Sequence, residues 1–213
     1  MPNKAKGRKR AARNGAASRR RSDVVRELEG VSWYVGCPHS GKTTAASVHA
    51  RWFREKFGVP VVVVDSEETE DFRGLDHCAP RELPELVWKA KQSVAVKPGS
   101  VADVDAVAEA VRAGKDVVLL VDEASLWLSN RRCSEALLRV LRTTQHCRVR
   151  VLLTTQHFSG DIPQAALACA PDLYLFRTTS PRALDVLSRH FSIDAEQART
   201  LEKHHYLAQR TSF

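Results

Sequence analysis

Gly36-Cys37-Pro38-His39-Ser40-Gly41-Lys42-Thr43 is the stretch on which the rest of the chain depends. An apolar segment, Val31-Ser32-Trp33-Tyr34-Val35, leads into it. A segment of helical character, Thr44 to Phe53, leads out. A strand, then the spacing G-x-x-x-x-G-K-T, then a helix makes a phosphate-binding loop. Two glycines let the backbone curl so that its N–H groups point inward at phosphate oxygens. Lys42 adds a point charge, the Thr43 hydroxyl can ligate Mg²⁺, and the helix opening at Lys42 adds the positive end of its dipole. The stretch therefore predicts an α/β domain that binds a nucleoside triphosphate.

The chain has 213 residues, with hydrophobic content of 43% and charged content of 27%, which describes one globular domain with tails. The longest apolar runs, Val59 to Val64 and Val117 to Val121, are strand-length, so no membrane span is expected. The N-terminus lacks the apolar core of a secretory signal. Five scattered cysteines (Cys37, Cys78, Cys133, Cys147, Cys169) include no C-x-x-C pair, which favours reduced thiols in a cytoplasmic setting. The net charge of +8 is unevenly placed. Residues 1–22 hold nine Lys and Arg and no acid, which leaves 24 bases against 25 acids in the remainder. The expected organisation is a basic, disordered tail over 1–22 and a single near-neutral domain over 23–213. Such a tail is expected to be an arm for nucleic acid or another acidic partner, with a solubilising tail that has no specific partner as the alternative.

Along the domain, a short lead-in helix is expected from Asp23 to Glu29, then a strand over Val31 to Val35. The helix after the phosphate loop runs to about Phe57, with Gly58 as its cap. Pro60 to Asp65 is a β-branched run that fits a strand buried on both faces, hence a parallel sheet. Residues 66–80 read as a long acidic surface connection. Residues 81–92 are ambiguous, and 93–97 fit a short strand. Val101 to Ala113 has helical apolar spacing. Asp116 to Val121 is a second buried strand, Ser134 to Thr144 a helix, and Val149 to Thr155 a third strand. A short helix after Pro163, a strand over Leu173 to Phe176, helices from Pro181 and Asp194, and an edge strand from Tyr206 complete the chain. Alternating strands and helices give a largely parallel central sheet flanked by helices. Ligands in such folds bind at the carboxyl ends of strands, where the phosphate loop, Asp122-Glu123 and Gln156 all fall.

Asp122, at the end of an apolar strand, is placed to hold Mg²⁺ directly or through water. Glu123 beside it can polarise an attacking water, which equips the site for hydrolysis. Gln156 ends the next strand, where a terminal phosphate can be sensed. Arg139 and Arg142 lie three apart on the intervening helix, and either can serve a neighbouring subunit as an arginine finger. Arg148, Arg150 and Arg177 are weaker candidates.

Gly36–Thr43, the run Val-Val-Leu-Leu-Val-Asp-Glu-Ala ending at Ala124, and Val151 to Gln156 followed by Asp161-Ile162-Pro163 together resemble the FtsK/HerA superfamily of P-loop motors. The resemblance spans residues 31–180. Among its small members, the chain is similar to the genome-packaging ATPases of tailless, internal-membrane viruses. The resemblance implies an ASCE-type, RecA-like P-loop NTPase with ATP and Mg²⁺ as cofactors. It places Gly36, Cys37, Pro38, His39, Ser40, Gly41, Lys42, Thr43 and Thr44 on the nucleotide, Thr43 and Asp122 on Mg²⁺, Glu123 on water, and Gln156 as the sensor. It also implies a sensor strand lying between the strand of the phosphate loop and that of Asp122. A homo-oligomeric ring, hexamer or pentamer, is implied, with duplex DNA in its channel and shared ATP sites. The arginine usually found just before the sensor strand is matched by Arg139, Arg142 or Arg148. Pro38 and His39 stand where many members carry smaller residues.

The leading expectation is an ATP-hydrolysing DNA translocase that packages a viral genome, acting at a capsid vertex, in the host cytoplasm or in the virion. The alternative is a non-motor P-loop NTPase that assists virion assembly or secretion. A kinase would lack the carboxylate at Glu123.

Overall fold

The computed structural model describes residues 28–158, 161–170 and 172–210. The basic tail and all but the end of the expected lead-in helix lie outside them. The strands are β1 (Gly30–Val35), β2 (Val61–Val64), β3 (Asp76–His77), β4 (Val94–Val96), β5 (Val117–Val121), β6 (Leu128–Ser129), β7 (Arg132–Cys133), β8 (Val149–Thr155), β9 (Asp172–Phe176) and β10 (Tyr206–Arg210). The α-helices are α1 (Lys42–Phe57), α2 (Val101–Gly114), α3 (Glu135–Arg142), α4 (Thr144–Cys147), α5 (Gln164–Ala168), α6 (Pro181–Phe191) and α7 (Ala195–Thr200).

Eight strands form one sheet in the order β10-β9-β1-β8-β5-β2-β4-β3. Every pairing is parallel except that of the edge strand β10 with β9. β8, the strand that ends at the sensor candidate Gln156, stands between β1 and β5, the position the resemblance implies for it. The strands read as unbroken apolar runs because both faces are covered. Val31, Trp33 and Val35 join a core with residues of α2, α3, α5 and α6. Tyr34 turns the other way, against Ala46, Ala50 and Phe53 of α1.

Local chemistry sets the helix ends. Gly41 (φ 98°) and Gly58 (φ 65°) bracket α1 in left-handed conformations that cost glycine little. Ser100 caps α2 by accepting from the Asp103 N–H at 3.3 Å, and Ser134 caps α3 by accepting from Leu137 at 3.1 Å.

Three segments differ from the sequence-based expectation. The helix over 134–144 stops at Arg142, because Thr143 leaves helical geometry at φ −120°. Residues 66–80 are more than a surface connection, since β3 adds itself to the sheet edge beside β4. The stretch 128–133, which has no periodicity to read, forms the β6–β7 hairpin.

Candidate functional site

The phosphate loop leaves β1 at Gly36, whose N–H donates to the Thr155 carbonyl at 3.3 Å. Ser40 N–H turns back to the Cys37 carbonyl at 3.3 Å, and Ala45 N–H closes the first helical turn on the Gly41 carbonyl at 2.9 Å. His39 takes the left-handed conformation (φ 58°) with its side chain exposed. Lys42 is buried among acids. Burial pulls its ammonium below the ordinary value, and Glu123 and Asp122 push it back up.

Asp122 follows β5 directly and is 5% exposed. Its carboxylate accepts from Thr154 Oγ1 at 2.5 Å and from Thr43 Oγ1 at 3.2 Å. The Thr69 hydroxyl stands between Asp65, at 3.0 Å, and Asp122, at 3.3 Å. Burial pushes the Asp122 carboxyl up, against the pull of Thr154, Thr43, Thr69 and Lys42. A cation at that carboxylate would complete the compensation. Thr43 and Asp122 supply the hard oxygens that Mg²⁺ takes, and a magnesium ion bound with phosphates needs only one or two protein ligands. The residues present thus fit that ion. Among the described residues no group of three or more His, Cys, Asp or Glu is arranged to hold a metal by protein ligands alone.

Glu123 sits at φ 46°, an uncommon conformation for a residue with a side chain. Its Oε1 accepts from Ser125 Oγ at 2.7 Å and Thr155 Oγ1 at 2.9 Å. The Gln156 N–H donates to both carboxylate oxygens, at 3.2 and 3.1 Å. The water-activating candidate is therefore tied to the end of the sensor strand. A cavity of about 380 Å³ is lined by Pro38, His39, Gly41, Lys42, Thr43 and Thr44 of the loop, by Glu67, Thr69 and Asp71, and by Asp122, Glu123 and Gln156. One space thus gathers the loop, the metal candidate, the water candidate and the sensor candidate. Gly36, Cys37 and Ser40 complete the loop outside this lining.

The arginines lie elsewhere in the chain. Arg139 reaches across to α2 and pairs with Glu109 at 3.0 Å. Arg142 is exposed at the far end of α3. Arg148 pairs with Asp116 before β8 begins, at the amino end of the sheet and away from the loop. Arg150 is a structural ion, 7% exposed, bonded to Asp172 at 2.7 Å and to the Glu29 carbonyl at 3.0 Å. As a candidate finger it is corrected: a buried cation with these partners cannot reach another subunit. Arg177 meets the loop through its carbonyl, which accepts from Cys37 N–H at 2.9 Å.

The sequence reading missed Thr154, Thr155, Thr69 and Asp65, which hold the two carboxylates or the hydroxyl beside them. Thr154 and Thr155 look like ordinary β-branched strand residues. Their one signal was two hydroxyls in succession at the carboxyl end of an apolar strand.

No model of a known protein family matches the sequence, and no curated protein matches it. Solved structures do match. The genome packaging NTPase B204 of Sulfolobus turreted icosahedral virus 2, in complex with AMPPCP, superposes with a TM-score of 0.74 at 18% identity, over 86% of this chain and 93% of that one. B204 of Sulfolobus turreted icosahedral virus, described as a DNA-packaging ATPase, gives 0.67 at 16% identity, over 86% and 98%. The pCW3 conjugation coupling protein TcpA, in monomer form with ATPγS, gives 0.60 at 12% identity, over 85% of this chain and 57% of that one. The chain has the P-loop NTPase fold of these proteins.

Proposed function

We propose that this protein is an ATPase of the FtsK/HerA type that translocates duplex DNA, and that its task is to package a viral genome as one subunit of a ring. The observation that carries the reading is the single cavity in which Lys42, Thr43, Asp122, Glu123 and Gln156 converge. Likeness to packaging NTPases over nearly their whole length supports it, as does the charged tail.

In this reading the loop N–H groups and Lys42 neutralise the phosphates, and Thr43 with Asp122 would hold Mg²⁺, which would supply positive charge against the phosphates during transfer. Glu123 takes the proton of the attacking water. Its Oε1 accepts from Ser125 and Thr155, while among the described residues Oε2 accepts only from the Gln156 N–H, which leaves a lone pair for that proton. Gln156, whose N–H donates to that carboxylate, is placed to couple the terminal phosphate to Glu123. Arg139 or Arg142 would complete the site from a neighbouring subunit.

Two variants test the catalytic core. Lys42→Ala is expected to lose nucleotide binding and turnover together. Glu123→Gln is expected to bind ATP within about threefold of the wild type while turnover falls by about 100-fold or more. Full turnover in Glu123→Gln would remove Glu123 from the chemistry.

A further inference from the structure

Resting on the nucleotide-site reading, we propose that the turn between α7 and β10 is the nucleoside end of the site, with the His204 imidazole as the group that meets the ribose or base. The phosphate loop is tied to β8 and β5 on one side of β1, through Thr155 and Asp122, and rests on a second set of neighbours on the other side. Its first limb leans on the end of β9, where a Cβ on Gly36 would stand 2.7 Å from Phe176 Cβ. Its second limb leans on the turn. His204 N–H donates to the Ser40 carbonyl at 3.2 Å. The His204 Nδ1 lies 2.7 Å from the point a Cβ on Gly41 would occupy. The ring therefore rests on the loop where only glycine leaves room for it.

The topology says which end of a nucleotide this turn faces. Asp122, Glu123 and Gln156 stand at the ends of β5 and β8, on one side of β1. The turn stands at the head of β10, beside β9, on the other side of β1. A triphosphate in the loop with its terminal phosphate toward Glu123 has its nucleoside directed toward β9 and β10. Among the residues that line the cavity at the acidic end, the aromatic ring is that of His39, which belongs to the loop itself. His204 is exposed, and among the described residues its imidazole has no hydrogen-bond or ion-pair partner. Such a ring can stack on a purine and can hydrogen-bond a ribose hydroxyl.

The test compares affinities of the full chain for ATP, ADP and inorganic tripolyphosphate, each with Mg²⁺. The variants are His204→Gly and His204→Asn, both tolerant of the left-handed conformation at φ 67°. Thermal unfolding verifies that they fold. The expected result is a loss of about tenfold for ATP and ADP, with tripolyphosphate held within about twofold of the wild type. An equal loss for tripolyphosphate would place His204 on the phosphates or on loop shape and overturn the proposal. So would unchanged affinity for all three. If the wild-type chain binds neither ATP nor tripolyphosphate, the nucleotide-site reading itself fails and the inference with it.

Discussion

Glu123 and His49 show how far individual side chains here are set by their surroundings. Glu123 is held in a left-handed conformation with its carboxylate among three donor residues. Strained backbone of this kind costs about 1–3 kcal/mol and persists where the surrounding structure fixes it. His49, on α1, has no part in the proposed chemistry. Its Nδ1 lies 2.6 Å from the Tyr34 hydroxyl, and its ring meets Tyr174 edge to face. Burial lowers its pKa first, and the Arg150 charge lowers it further. The unfolded chain therefore takes up the His49 proton at a higher pH than the folded chain. The stability that neutral His49 preserves is full above the unfolded value of about 6.5 and is lost as pH falls below it toward the folded value. Thermal unfolding measured between pH 7.5 and 5.5 should show His49→Gln losing less stability on acidification than the wild type. Parallel curves would mean that His49 does not sense pH.

Among the elements, β8 does the most to connect the fold with the site. Its carboxyl end supplies Thr154 to Asp122 and Thr155 to Glu123. Near its amino end Arg150 bonds Asp172 of β9, Ser32 of β1 and the carbonyl just before β1. Removing one partner of a buried ion pair leaves the other charge uncompensated. Arg150→Ala should therefore cost about 3–5 kcal/mol, read as a lower denaturation midpoint in urea. A change under about 1 kcal/mol would show that solvent reaches the pair. These two ends were legible to different degrees. The strands and α1 could be read because burial on both faces writes long β-branched runs, and because glycines mark both ends of α1. Asp122 and Glu123, the carboxylates proposed for the ion and the water, stood out in the sequence because they end such a run. The Arg150 pair could not, since its partner lies 22 residues along the chain and only the pairing of β8 and β9 with β1 brings them together. The β6–β7 hairpin could not either, because two-residue strands are too short to show alternation. The supports of Glu123 were hidden because threonine is also an ordinary strand residue.

At the scale of the whole molecule, the positive charge is concentrated in one segment of the chain. Nine bases lie in residues 1–22, and the remainder is near neutral. No helix among the described residues is long and apolar enough to cross a membrane. If the tail neutralises phosphates on DNA, its bases release counterions. Deleting residues 1–22 should then weaken DNA binding and flatten the slope of log affinity against log salt by up to about 8. An unchanged slope would assign the tail to something else. The central claim joins hydrolysis to DNA, and one measurement addresses it directly: ATP turnover of the full chain with and without double-stranded DNA, with Lys42→Ala beside the wild type. The expected result is turnover that DNA raises several-fold and that Lys42→Ala abolishes. Robust turnover indifferent to DNA, from a particle with the mass of a single subunit, would contradict it.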